Sequence, residues 1–191
     1  MKIILASGSP RRFELLRSLG ITFEVCKPDV DEHVLKNESP SELCTRLSRL
    51  KAESGAEKFP DSLVIAADTI VVIDELILGK PKDRTDAFNM LKRLQGKWHE
   101  VITGLSICMN KNILSHDEHT RVKFRELSDS EIRAYVSTGE CDDKAGAYAV
   151  QGYGSLLVER IEGDYFNVVG LPLCCLGKML RSAGINLLLG N

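Results

Sequence analysis

The chain lacks any apolar run approaching the roughly 20 residues that a membrane-spanning helix needs. It also has little net charge: a formal value of −2 argues against a general nucleic-acid binder or a membrane-surface binder. Met1-Lys2-Ile3 leads straight into a strand pattern, so no signal peptide is expected. The six cysteines, at 26, 44, 108, 141, 174 and 175, form no CxxC pair. They read as reduced, mostly buried thiols of a cytoplasmic protein, and a disulfide framework is not expected. There is no GxxxxGK[ST], which excludes a P-loop as written, and no cysteine-nucleophile signature of a phosphatase. No internal repeat or low-complexity segment occurs.

What the chain does contain is a mixed α/β pattern. With 191 residues, 43% of them hydrophobic and 27% charged, it suffices for one sizeable core or two small lobes. Ile3-Ile4-Leu5-Ala6 reads as a buried strand. Ser9 then fits a helix N-cap, Pro10 the first helical position and Gly20 the left-handed stop. Ile21 to Val25 alternates like a strand ended by Pro28, and Ser39-Pro40-Ser41-Glu42 is a capping box. The helix it opens carries Leu43, Leu47 and Leu50 on one face, with Arg46, Arg49 and Lys51 on others. Leu63 to Ala67 suits a central strand that ends in Asp68-Thr69, with strand resuming over Ile70 to Ile73 and a turn at Asp74-Glu75. Thr85 can cap a helix stopped by Gly96. Trp98 to Met109 and Ile113 to Phe124 read as two long strands, Ser128 to Glu131 as a second capping box, and residues 142–152 as a loop. Leu156 to Ile161 reads as a strand, and Leu173, Leu176, Met179 and Leu180 lie on a last helix. Several hairpins imply a mixed sheet, and polar groups early and late in the chain suggest a cleft between its halves.

Three groups carry chemistry. Ser7-Gly8-Ser9-Pro10-Arg11-Arg12 joins strand to helix, where unpaired backbone N–H groups and the helix dipole favour an anion. It reads either as a phosphate cradle or as an ordinary capped helix with a basic first turn. Asp68, beside five apolar residues, must be paired, hydrogen-bonded, metal-bound or neutralised, unless it merely caps a turn. Glu32, in the acidic segment Asp29 to His33, would with Asp68 supply oxygen ligands for Mg²⁺. Lys51, taken singly, reads as part of a solvated helix face, whereas Lys80 between Gly79 and Pro81 is more positioned than a surface lysine needs to be. His116-Asp117-Glu118-His119 does not read as a metal site, since a strand puts the two histidines on opposite faces and no further ligand is evident nearby. His99 reads as structural. Carboxylates, a basic serine-rich turn and lysines together suit phosphoryl chemistry on a polyphosphate.

Ala6 to Arg12, Ala67-Asp68-Thr69, Gly79-Lys80-Pro81, His99 to Gly104, Asp143 to Tyr148, Gln151-Gly152 and Asn167 to Pro172 occur in an order that resembles the Maf family of nucleoside triphosphate pyrophosphatases. The resemblance spans almost the whole chain as one domain, residues 1–191. It implies an α/β fold with a mixed twisted sheet in two lobes around a deep cleft, related to the inosine triphosphatase type. It implies hydrolysis between the α- and β-phosphates with a divalent cation, Mg²⁺ or Mn²⁺, in a cytoplasmic protein that is often a homodimer. The family's proton acceptor matches Asp68, and Ser7, Arg12, Glu32, Lys51 and Lys80 match residues lining the polyphosphate site, with Ser9 in the same turn. Arg11, Thr69 and Gln151 resemble the subgroup that acts on dTTP and UTP, as part of a nucleotide house-cleaning role that extends to modified pyrimidine nucleotides. An alternative is a nucleotide-sensing regulator of cell division without turnover, and another is a phosphatase releasing phosphate stepwise.

Two departures from the family pattern concern loop shape: Ala149 replaces a frequent Gly, and Cys141 stands where Pro usually follows Glu140. The chemistry of the pyrimidine assignment is consistent. A Gln amide can accept from uracil N3–H and donate to O4, whereas a carboxylate offers acceptors only. A flipped amide would suit cytosine, so a neighbour must fix Gln151, and Thr69 or a backbone group could do so. No nucleic acid or membrane partner is expected.

Overall fold

Alternating strand and helix signals produce a mixed sheet with helices packed on it. The computed structural model describes residues 2–189. Seven strands pair in the order β2-β1-β3-β5-β6-β7, with β4 added to β3. They are β1 (Lys2–Ala6), β2 (Glu24–Cys26), β3 (Ser62–Ile73), β4 (Leu76–Leu78), β5 (Trp98–Met109), β6 (Asn112–Phe124) and β7 (Val158–Glu162). Six helices stand among the described residues: α1 (Pro10–Ser18), α2 (Pro40–Lys58), α3 (Arg84–Leu94), α4 (Asp129–Ser137), α5 (Tyr165–Val169) and α6 (Leu173–Ser182). β1 runs parallel to β2 and to β3, with Ile4 opposite Glu24 and Val64, while β3 pairs antiparallel with β4 and β6 with β7. The sheet is therefore mixed, as the hairpins imply.

The chain divides into two compact units. The first takes in the chain up to Asp68, Thr103–Glu118 and the chain from Gly170 on; the second takes in Thr69–Ile102 and His119–Val169. In the first unit, α2 lies on the sheet over Ile4, Ala6, Val64, Ala66 and Cys108, with its own Ala52 and Ala56 facing them. Gly104 of β5 makes the approach possible, because a Cβ there would stand 2.1 Å from the Cys44 carbonyl oxygen of α2. A hydroxyl chain runs from buried Ser48 and Ser106 out to exposed Ser115 and continues the contact at 2.8 Å per link. In the second unit, Leu91, Leu94, Phe124 and Ile132 are fully buried. His99, Phe124 and Tyr148 meet edge-on there, with ring centres 4.7–5.4 Å apart.

Several local expectations shift. The strand expected over 21–25 is confined to Glu24–Cys26, because Phe23 packs edge-on to Phe13 of α1, 5.2 Å away, and draws the preceding residues off the sheet. Asp83, not Thr85, caps α3 by accepting from Asp86 N at 2.8 Å, in line with the stronger capping of Asp. Leu156 ends a 3₁₀ segment, Gly152–Leu156, and β7 begins at Val158. The five-residue α5 is too short to show a helical period in sequence. All six cysteines are free thiols, but Cys174 is exposed rather than buried.

Candidate active site

Asp68 does not close a strand. β3 runs unbroken from Ser62 to Ile73, so there is no turn for Asp68 to cap. The two-residue strand period puts Asp68 in the row of Val64 and Ala66, the row packed beneath α2. The helix answers with a row of its own. Cys44, Ser48, Lys51 and Gly55, at helical spacings of four, three and four, are all buried. Lys51 thus belongs to the buried face, which corrects its reading as a solvated lysine. The sequence signal for that face is its small residues, Cys44, Ser48, Ala52 and Gly55, which let helix and sheet approach closely.

Where the rows meet, Lys51 Nζ lies 2.5 Å from Asp68 Oδ1 and 2.7 Å from Glu32 Oε1. Asp68 is 8% exposed and Lys51 likewise 8%, so their pairing replaces most of the hydration each has lost. The loop bearing Glu32 is moored by a residue that sequence reasoning left on an outer face. Arg46 of α2 donates to the His33 carbonyl at 2.9 Å and makes a two-bond pair with Glu38 at 2.6 and 2.8 Å. Nothing in the local sequence marks Arg46 for this task.

The Ser7 to Arg12 turn lies in the same unit and is ordered by its own side chains. Ser7 Oγ accepts from Ser9 N at 3.1 Å and from Arg12 Nη1 at 3.4 Å. Ser9 caps α1 by accepting from Arg12 N at 3.5 Å. Arg12 Nε donates to the Gly170 carbonyl at 2.7 Å, which ties the start of the unit's last segment to the first helix. Burial pulls the Arg12 guanidinium below its ordinary pKa; Asp68 and Glu32 pull it back up and Arg11 adds to the lowering. It stays a cation, because guanidinium does not deprotonate in proteins. Ser7 is buried, whereas Ser9, Arg11 and Arg12 are half-buried. The unit therefore presents three cations and two carboxylates around a capped helix N-terminus, a set of groups suited to holding and polarising a polyphosphate. Cys44, on the same helix, is no nucleophile: burial, with Asp117 and Asp68, pushes its thiol pKa up to about 12.

Thr69, Lys80 and Gln151 belong to the second unit. Lys80 is exposed, and the carbonyl just before it, on Gly79, accepts from Gly146 N at 3.0 Å. Gln151 is exposed in extended backbone immediately before the 3₁₀ segment and makes no capping bond with its side chain. Asn167 is fully buried and donates to the Val101 carbonyl and Thr120 Oγ1 at 3.0 and 2.9 Å. His99 is structural: its Nε2 lies 2.8 Å from Tyr148 Oη, and burial lowers its pKa to about 4.

The His116 to His119 motif needs one correction. A further potential ligand does lie near it, since Cys175 of α6 comes within 4.8 Å of His116 and Glu118. His119 points elsewhere, with Nδ1 3.0 Å from Glu100. An exposed His, a half-buried Glu and a buried thiol form this group.

A family model described as Maf-like protein matches residues 2–183. The chain is 49% identical to a dTTP/UTP pyrophosphatase of Clostridioides difficile over 100% of both chains. It is 50% identical to one of Thermosipho africanus, covering 97% of this chain and 95% of that one. It is 53% identical to one of a Thermoanaerobacter species, covering 95% and 96%. The structure of the Staphylococcus aureus Ham1 protein aligns with 81% of this chain and 78% of its own at 17% identity and a TM-score of 0.47. With the family model covering nearly all of a chain in which Asp68, Lys51 and Glu32 converge, the chain belongs to the Maf family.

Proposed function

We propose that the chain is a dTTP/UTP pyrophosphatase: it hydrolyses these triphosphates to the nucleoside monophosphate and pyrophosphate, with modified pyrimidine nucleotides as further substrates. The Glu32–Lys51–Asp68 cluster carries the reading, in a chain 49–53% identical to pyrophosphatases of that name. Asp68 is the proton acceptor. Lys51 engages its Oδ1, which leaves Oδ2 as the oxygen that takes a proton from the attacking water. Arg12, Lys51 and Lys80 hold phosphate charge. Ser7 and Ser9 fix the turn from which Arg12 projects. Arg11, Thr69 and Gln151 select the base.

Two carboxylates converging on one ammonium form an all-oxygen donor pair, the set that hard divalent cations prefer. Glu32 and Asp68 would hold Mg²⁺ or Mn²⁺, which when bound draws negative charge from phosphate oxygens. A homodimer and a cytoplasmic location belong to the same proposal, supported by the sequence resemblance. Among the described residues, no helix is long and apolar enough to cross a membrane.

The experiment is hydrolysis of a nucleotide panel in ¹⁸O-labelled water, with and without EDTA. The expected products are labelled UMP or dTMP and unlabelled pyrophosphate, with activity lost in chelator and restored by Mg²⁺ or Mn²⁺. Release of inorganic phosphate, label in the pyrophosphate, or no turnover of UTP and dTTP would overturn the assignment. Undiminished turnover in excess chelator would remove Glu32 from its role.

A further inference from the structure

Gln151 is an exposed side chain, yet choosing between uracil and cytosine requires its amide to be held in one place. Its own side chain makes no capping bond, so the loop's anchors lie elsewhere. They come from α4 and the residues just after it. α4 ends at Ser137, and Gly139, with φ +79°, turns the chain back. Glu140 N then donates to Thr138 Oγ1 at 3.2 Å. This sets the Glu140 carboxylate against the start of the 3₁₀ segment that follows Gln151. Oε1 accepts from Tyr153 N at 2.9 Å and Oε2 from Gly154 N at 3.1 Å. Those are the N–H groups that a short helix start leaves without an internal partner. On the other side of Gln151, Tyr135 Oη of α4 accepts from Ala149 N at 3.1 Å. The carboxylate also fills the space over Gly152: at φ +62°, a Cβ there would stand 2.4 Å from Glu140 Oε1.

We propose that Glu140 is a positioning residue for base selection, with Tyr135 as its partner on the far side of the loop. It performs from a distance the capping that Gln151 does not, and so leaves the Gln151 amide free to face the base. Both of its oxygens are used, and bonds to a carboxylate are stronger than neutral ones. A glutamine in its place would keep one acceptor and turn an NH₂ group towards the other backbone N–H. The inference rests on the reading of Gln151 as the pyrimidine selector.

The test is kcat/KM for UTP and CTP on the wild type, Glu140→Gln, Gln151→Ala and the double variant, with thermal unfolding of each. Small misplacements of a positioned group cost large factors in rate. Glu140→Gln should lower the UTP-over-CTP ratio by about tenfold or more, mainly through a higher KM for UTP, while the products stay the same. In the Gln151→Ala background, Glu140→Gln should lower the ratio no further. A merely structural role would lower both substrates alike and leave the ratio intact. A wild-type ratio in Glu140→Gln, with a lowered ratio in Gln151→Ala, overturns this proposal and leaves the Gln151 reading standing. An unchanged ratio in Gln151→Ala overturns the Gln151 reading, and this proposal with it. Should Glu140→Gln fail to unfold cooperatively, Tyr135→Phe takes its place: a lowered ratio supports the proposal and a wild-type ratio overturns it.

Discussion

Lys51 Nζ stands within 2.7 Å of two carboxylates, so it governs what either can do. Its partner Asp68 is the residue on which the proposed chemistry turns. Asp68→Asn keeps the shape and an oxygen that can accept from Lys51, but it cannot take a proton. Turnover of UTP should fall about 10²–10⁴-fold, the usual worth of a positioned base. The far-ultraviolet spectrum and cooperative unfolding should persist. A variant with near wild-type kcat would mean that some other group accepts the proton. At this scale the sequence supplied the reactive types and their order. It did not supply the side of α2 on which Lys51 lies, because a stripe centred on Leu43, Leu47 and Leu50 puts Lys51 at its edge, whereas the buried face is centred nearer Ser48 and Lys51. Nor did it supply Arg46, whose bond to the His33 carbonyl links positions 13 residues apart.

Element ends and contacts differ in how plainly they are written. Capping boxes at Ser39 and Ser128 form as their local sequences dictate, since both partners lie within three residues. The contact between α2 and β5 depends instead on Gly104, whose importance is invisible until Cys44 is brought to it. A methyl group there would meet the helix backbone at 2.1 Å, and backbone cannot swing aside as a side chain can. Gly104→Ala should therefore cost about 3 kcal/mol or prevent folding outright. Urea unfolding measures it, and an unchanged midpoint would mean that helix and strand separate more easily than their packing suggests. The start of β2 is likewise set beside a long-range contact, since Phe23, just before it, packs edge-on against Phe13 of α1.

Across the whole molecule, pH acts through groups whose proton affinity changes on folding. His99 is 4% exposed, and its Nδ1 has no hydrogen-bond partner to support a second proton. Its folded pKa of about 4 lies below the ordinary 6.5. Between those values the unfolded chain binds the proton and the folded chain does not. Stability is therefore full above pH 6.5 and declines as pH falls towards 4, by on the order of 3 kcal/mol. Glu131, lowered from 4.5 to about 2 by Ser128 and Arg125, acts further down: its contribution is full above about 4.5 and is lost progressively as pH falls from there through about 2. Thermal midpoints from pH 7.5 to 4 test the His99 effect. The wild type should lose stability across that window and His99→Phe should lose less. Parallel profiles would place the titration elsewhere.

The sequence by itself determined the alternation of strands and helices, the caps, the hairpin turns and a set of motifs that names a family. These are local properties: propensity, period and capping act within a few residues. Only the tertiary structure decided that β3 continues through Asp68, that Lys51 is buried against it, and that Glu140 reaches across to hold the loop after Gln151. Burial on both faces hides the strand period of β3, and the Lys51–Asp68 and Glu140–Tyr153 contacts join residues 17 and 13 apart, so no local pattern records them.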